Sequence, residues 1–213
     1  MILEVDKVSK KIRGKVILSD INLRMESGHI YGFVGRNGCG KTMLFRAVSG
    51  LMKIDKGRVI LDNKVLGIDM TVLPNAGIVL ENAGLYQEFT GFKNLKILSK
   101  LKSKISDNDI KKAIERVGLN PEDKRSYRKY SLGMKQRIVI AQSIMEKPDV
   151  LFLDEPTNAL DAEGVEEIRK VIIEEKERGA IVLIASHNKE DIEILADKVY
   201  HMDNGKIISV EEH

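Results

Sequence analysis

The sequence predicts an α/β fold with a mostly parallel core sheet, an N-terminal antiparallel β-subdomain and an inserted α-helical subdomain at about residues 82–145. Three observations predict it. The apolar runs IYGFV, VLFLD and AIVLIAS alternate with glycine-bounded helical patterns, as parallel strands covered on both faces do. The first thirty residues instead alternate polar and apolar side chains, as in ILEVDKV and INLRM, which marks half-buried antiparallel strands. A polar, helix-rich stretch then follows the short strand GIVL, Gly77 to Leu80. At 213 residues the chain is expected to form a single domain spanning 1–213.

Taken in order, the apolar run IYGFV leads into GRNGCGKT, Gly35 to Thr42, and then into a helix that places Leu44, Ala47, Val48 and Leu51 along one side. GRVILDNKVLG reads as a hairpin turning at Asp62-Asn63. In SDNDIKKAIERVGL, Ser106 is the N-cap, Ile110, Ala113, Ile114 and Val117 form the apolar stripe, and Gly118 is the stop. A further helix is expected from Ser131 to about Met145, then the strands at 150–154 and 180–186 with the helical GVEEIRKVIIEEKERG between them. VYHMDNGKII closes the pattern as a hairpin with Asn204-Gly205 in its turn.

Composition narrows the function classes. With 43% hydrophobic and 31% charged residues the chain reads as soluble, and its apolar runs are far shorter than the ~20 residues that cross a bilayer. The start, MILEVDKVSKK, lacks a basic head followed by an apolar stretch, so no signal peptide is expected and the reading is cytoplasmic. Cys39 is the single cysteine, which excludes an internal disulfide. A net charge of +3 does not argue for nucleic acid, and the basic stretch Lys124 to Arg137 reads as a solvated or partner-facing surface.

In a parallel sheet, ligands lie at the carboxyl ends of the strands. Here those ends carry the glycine loop, Asp154 and Glu155, His187, and Glu81. In a G-x-x-x-x-G-K-T loop the main-chain amides of Gly35, Arg36, Asn37, Gly38, Cys39 and Gly40 wrap a phosphate chain, helped by the positive end of the following helix. Lys41 is expected to reach the β- and γ-phosphates, and the Thr42 hydroxyl and Asp154 carboxylate to hold Mg2+. Glu155 is the candidate general base, and His187 the candidate to contact the γ-phosphate or orient water. His29, His201 and His213 follow no such strand. Cys39, at a helix N-terminus beside Lys41, is expected to be a reactive thiol that the bound phosphate ligand protects.

These motifs resemble the ATP-binding cassette (ABC) ATPases, a P-loop NTPase family, across nearly the whole chain. The P-loop is followed by YSLGMKQR, similar to the family signature, by VLFLDEP, similar to the Walker B strand with its catalytic glutamate, by NALD at 158–161, similar to the D-loop, and by the switch histidine His187. The resemblance implies a head-to-tail homodimer, with ATP and Mg2+ sandwiched between one subunit's P-loop and the other's signature residues Ser131 and Gly133. The start of a helix at Ser131 suits a second phosphate site.

Four positions, in three motifs, depart from the family pattern. Leu132 and Met134 replace a signature glycine and glutamine, Glu81 stands at the Q-loop glutamine as a candidate metal-facing carboxylate, and Ile12 stands where an aromatic residue stacks on adenine. Together with E-N-x-x-L-Y and E-P-T-N-A-L-D, the variant signature looks most like bacterial exporter ATPases for bacitracin and lantibiotics. The expected function is therefore to power transport through a separate transmembrane permease subunit, from the inner face of the membrane. Leu85, Tyr86, Phe89 and Phe92 are the candidate docking residues, and no nucleic acid is expected as a partner. The competing readings are a soluble ABC ATPase acting on ribosomes or DNA, and a P-loop kinase of a small metabolite.

Overall fold

In the computed structural model, residues 1–80, 84–101 and 105–212 are described. The N-terminal alternation forms β1 (Ile2–Ile12) and β2 (Lys15–Glu26), an antiparallel pair. Next come β3 (His29–Val34), α1 (Lys41–Ser49), β4 (Lys56–Leu61) and β5 (Lys64–Val65). The β4–β5 turn is Asp62-Asn63, and both residues take positive φ, 45° and 68°, the backbone a two-residue hairpin needs. Together β2, β1, β4 and β5 form a four-stranded sheet in that order.

β6 (Ala76–Val79) is followed by α2 (Gly91–Ser99), α3 (Asp107–Arg116) and α4 (Leu132–Ile144). Each of these helices has a side-chain N-cap, from Thr90, Ser106 and Ser131 respectively. At Ser106 the bonds are reciprocal with Asp109, which fixes the start of α3. The remaining elements are β7 (Val150–Asp154), α5 (Ala162–Glu177), β8 (Ile181–Ala185), α6 (Lys189–Leu195), β9 (Lys198–Asp203) and β10 (Lys206–Glu212).

The second sheet has the order β10-β9-β3-β8-β7-β6, parallel throughout except for β10 at its edge. Its strands send alternate side chains to two cores. Ile30, Leu151, Leu153, Val182 and Ile184 pack towards the helices that follow β6. Tyr31, Phe33, Val150, Phe152 and Leu183 pack with α1 and the N-terminal sheet.

The expected apolar side of α1 is shorter than its sequence suggested. Leu44, Ala47 and Val48 are fully buried, but Gly50 ends the helix in a left-handed conformation and leaves Leu51 57% exposed. What matters for function is the strand order, because β3, β8 and β7 are neighbours and the loops after them share one edge.

Candidate functional site

β3 runs into the glycine loop, and α1 begins at Lys41 behind Gly40, which caps the helix at φ 116° with no side-chain bond. The first amides of α1 are therefore not taken up by a capping side chain, which suits an anion. A Cβ on Gly35 would meet the carbonyl oxygen of Met202 at 2.2 Å and Cys39 Sγ at 2.7 Å, so only glycine fits there. Lys41 is 6% exposed, and its Nζ donates to the Gly35 carbonyl at 2.7 Å. An ammonium group held against the loop's own backbone lies beside the place where phosphate charge is expected.

The Thr42 hydroxyl donates to Asp154 Oδ2, which joins α1 to the end of β7. Glu155 follows with φ 52°, and its amide donates to the Ala185 carbonyl at 2.8 Å, fastening the end of β7 to the end of β8. Glu155 Oε2 lies 2.7 Å from His187 Nδ1 and also accepts from the His187 amide at 3.3 Å. The imidazole is thus hydrogen-bonded to the carboxylate, a pairing the sequence reading did not anticipate. With Nδ1 engaged, Nε2 remains for another group.

Lys41, Thr42, Asp154, Glu155 and His187 line a cavity of about 920 Å³ together with Leu132, Lys135 and Gln136 of α4. Gln136 Nε2 donates to the carbonyls of Glu155 and Pro156, at 3.3 Å each, so α4 braces the loop that carries the carboxylate. Neither Lys135 nor Gln136 was singled out from sequence. Their only signal there is that Lys135 ends the signature-like S-L-G-M-K and Gln136 follows it.

Ser131, which is exposed, accepts from the Met134 amide at 3.1 Å. Gly133 lies so close to the loop after Glu155 that a Cβ would sit 2.9 Å from the Ala159 carbonyl oxygen. Both line a separate cavity of about 530 Å³ with Arg137, Ala159 and Asp161. Ser131 and Gly133 are thus not among the residues that surround the glycine loop of their own chain.

Residues 18–158 match the ABC transporter domain family. The chain belongs to this family. An ABC transporter ATP-binding protein of Bacillus subtilis (strain 168), YybJ, is 45% identical to the cassette over 99% of its chain and 96% of the relative's. The bacitracin transport ATP-binding protein BcrA of Enterococcus faecalis is 37% identical over 97% of this chain and 68% of its own. The lantibiotic transport ATP-binding protein SrtF of Streptococcus pyogenes is 33% identical over 99% and 91%.

Among solved structures, cbiO1 of Clostridium perfringens, part of the ABC transporter complex cbiONQ, superposes with a TM-score of 0.82 at 27% identity, over 99% of this chain and 88% of that one. The ATP-binding subunit of another ABC transporter superposes at 0.88 with 22% identity over 100% and 90%, which shows the shared fold. The cassette is accordingly an ATP-binding subunit of the ABC transporter type with the P-loop NTPase fold, and neither the ribosome- or DNA-directed reading nor the metabolite kinase is favoured.

Two further sequence expectations meet the structure here, and a third lies outside it. Cys39 is 6% exposed and belongs to the core cluster with Phe33 and Leu44, so the expected reactive thiol is buried. Ile12 is at the end of β1, 38% exposed, whereas Ile17 is the residue of this hairpin that lines the main cavity. Glu81 lies outside the described residues.

Proposed function

We propose that the cassette hydrolyses ATP in a Mg2+-dependent reaction and couples it to a separate transmembrane permease, with export of peptide antibiotics as the transported class. The observation that carries this reading is the convergence on one edge of Lys41, the Thr42–Asp154 pair and the Glu155–His187 pair. The hydroxyl and carboxylate oxygens of Thr42 and Asp154 are the hard donors Mg2+ prefers, so the residues present fit that ion. When bound there, Mg2+ supplies neutralisation of phosphate charge.

The protein's own groups do the rest. The loop amides and Lys41 bind and orient the β- and γ-phosphates. Glu155 takes the proton of the attacking water as general base, and His187, held through Nδ1, keeps Nε2 for the γ-phosphate. Ser131, exposed, and Gly133, half-buried, at the start of α4, complete the ATP site of a second copy in a head-to-tail homodimer.

The chain acts as one domain in which the helical region at about 82–145, holding α2, α3 and α4, transmits closure to the permease at the inner face of the membrane. No helix among the described residues is long and apolar enough to cross a membrane. Of the four candidate docking residues, Tyr86 is 56% exposed and Leu85 is buried, while Phe89 and Phe92 are half-buried, with Lys93 Nζ 3.8 Å above the Phe89 ring. Tyr86 is therefore the most accessible contact. The peptide-antibiotic assignment rests on the named functions of BcrA and SrtF.

The test is ATP turnover by the purified protein with Mg2+ and with EDTA, followed by co-purification from detergent-solubilised native membranes. Mg2+-dependent turnover and recovery of a multi-span membrane protein, weakened by Tyr86→Ala, are expected. Turnover unaffected by EDTA, or recovery of ribosomes or DNA instead, would overturn the reading.

A further inference from the structure

Arg169 on α5 and Asp191 on α6 are 4% and 0% exposed, and neither takes part in the chemistry described above. Arg169 Nε and Nη2 donate to Asp191 Oδ1 at 2.9 and 2.7 Å. The second carboxylate oxygen, Oδ2, accepts from the Thr157 hydroxyl at 2.5 Å. Glu166 and Glu190 flank the guanidinium at 2.7 and 3.2 Å. Burial pulls the Arg169 pKa down, but hydrogen bonds to Glu190 and Asp191 outweigh it and leave it above the ordinary arginine value. Thr157, Arg169 and Asp191 are buried and hydrogen-bonded to one another through Asp191, while the Glu166 and Glu190 carboxylates reach solvent.

Such a cluster is a weak source of stability, because apolar side chains of the same size serve a core as well. Its placement is more informative. Thr157 lies two residues beyond Glu155, and Asp191 four residues beyond His187 in the first turn of α6. The two loops are therefore joined twice, by Glu155–His187 at the cavity and by Thr157–Asp191 behind it. Arg169 then fastens the rear joint to α5. A rear joint of this kind fixes the separation at which the front pair must meet, and loose positioning at a reacting centre is costly.

We propose that Thr157, Asp191 and Arg169 form a positioning cluster that holds the His187 imidazole on Glu155 and sets the turnover rate rather than the affinity for ATP. The proposal rests on the roles assigned above to Glu155 and His187. Thr157→Val removes the hydroxyl at nearly constant size, and Thr157→Ser restores it. Each variant is compared with the wild type by kcat and KM for MgATP and by the 15N resonances of the imidazole, with the His187 signal identified through His187→Gln.

In Thr157→Val, kcat should fall about ten- to a hundredfold with KM within about twofold, and the His187 signal should lose the signature of a fixed Nδ1–H tautomer. Thr157→Ser should recover both. If Thr157→Val does not fold, Asp191→Asn carries the same readouts. An unchanged His187 signal together with unchanged kcat overturns the cluster's role, as does equal impairment of the serine and valine variants. Full turnover by Glu155→Gln overturns the assignment of the general base instead, and the His187 signal of Thr157→Val still decides the positioning role.

Discussion

The rim of the parallel sheet and the start of α4 are both suited to phosphate, yet they are built in opposite ways. At the rim, Lys41, Thr42, Glu155 and His187 all have partners within the chain, and strands on either side fix them. At the start of α4, Ser131 is exposed, Leu132 is 70% exposed, and the Ser131 hydroxyl meets its own helix. The difference fits a division of labour. On the proposed reading, the rim is pre-organised for chemistry, and Ser131 and Gly133 are presented to ATP held by a second copy.

Breaking the rim should have the largest effects. Glu155→Gln removes the base while keeping an acceptor for His187, and is expected to lower kcat by about 10²- to 10⁴-fold with ATP still bound, measured by steady-state turnover and nucleotide binding. Lys41→Ala removes a buried cation from the loop and is expected to lower kcat/KM by about 10²- to 10³-fold.

Loosening the support of the signature tests the other half. Arg137 Nη1 donates to the Val117 carbonyl at 3.2 Å and to Glu167, and Nη2 to Asp161 at 3.3 Å, which ties α4 to the start of α5. Arg137→Met should cost about 1–3 kcal/mol of stability, read in a denaturant titration, and should weaken association of two copies more than ATP binding by one. The smallest change is remote from both regions. Ser106→Ala removes the α3 cap and should cost about 1 kcal/mol while leaving turnover per folded molecule unchanged.

The contrast also explains what could be read from sequence. Local backbone chemistry was legible. Asn204-Gly205 takes the two positive φ values its hairpin needs, Ser106 and Ser131 cap the helices expected of them, and the glycine loop lies between strand and helix. The convergence of Asp154, Glu155 and His187 was legible because carboxyl ends of parallel strands share an edge.

Which side chains would then bond was not, because it depends on strand order. His187 meets Glu155 since β8 lies between β3 and β7. Arg169 and Thr157 carried no periodic or motif signal that pointed to Asp191, which is brought to them by the packing of α5 against α6. Cys39 was misjudged for a related reason. Its position in the loop was clear, but the packing of its side chain among Phe33 and Leu44 is set only once the loop has folded against the core.

The central claim is that the signature of one copy completes the ATP site of another. It is tested most directly by sedimentation of Glu155→Gln, with and without ATP, alongside the same protein carrying Gly133→Asp, which places a carboxylate at the start of α4. The account predicts a monomer without ATP, a dimer with ATP, and no ATP-driven dimer once Gly133→Asp is present although each copy still binds ATP. A strictly monomeric Glu155→Gln at saturating ATP, or a dimer indifferent to Gly133→Asp, would contradict it.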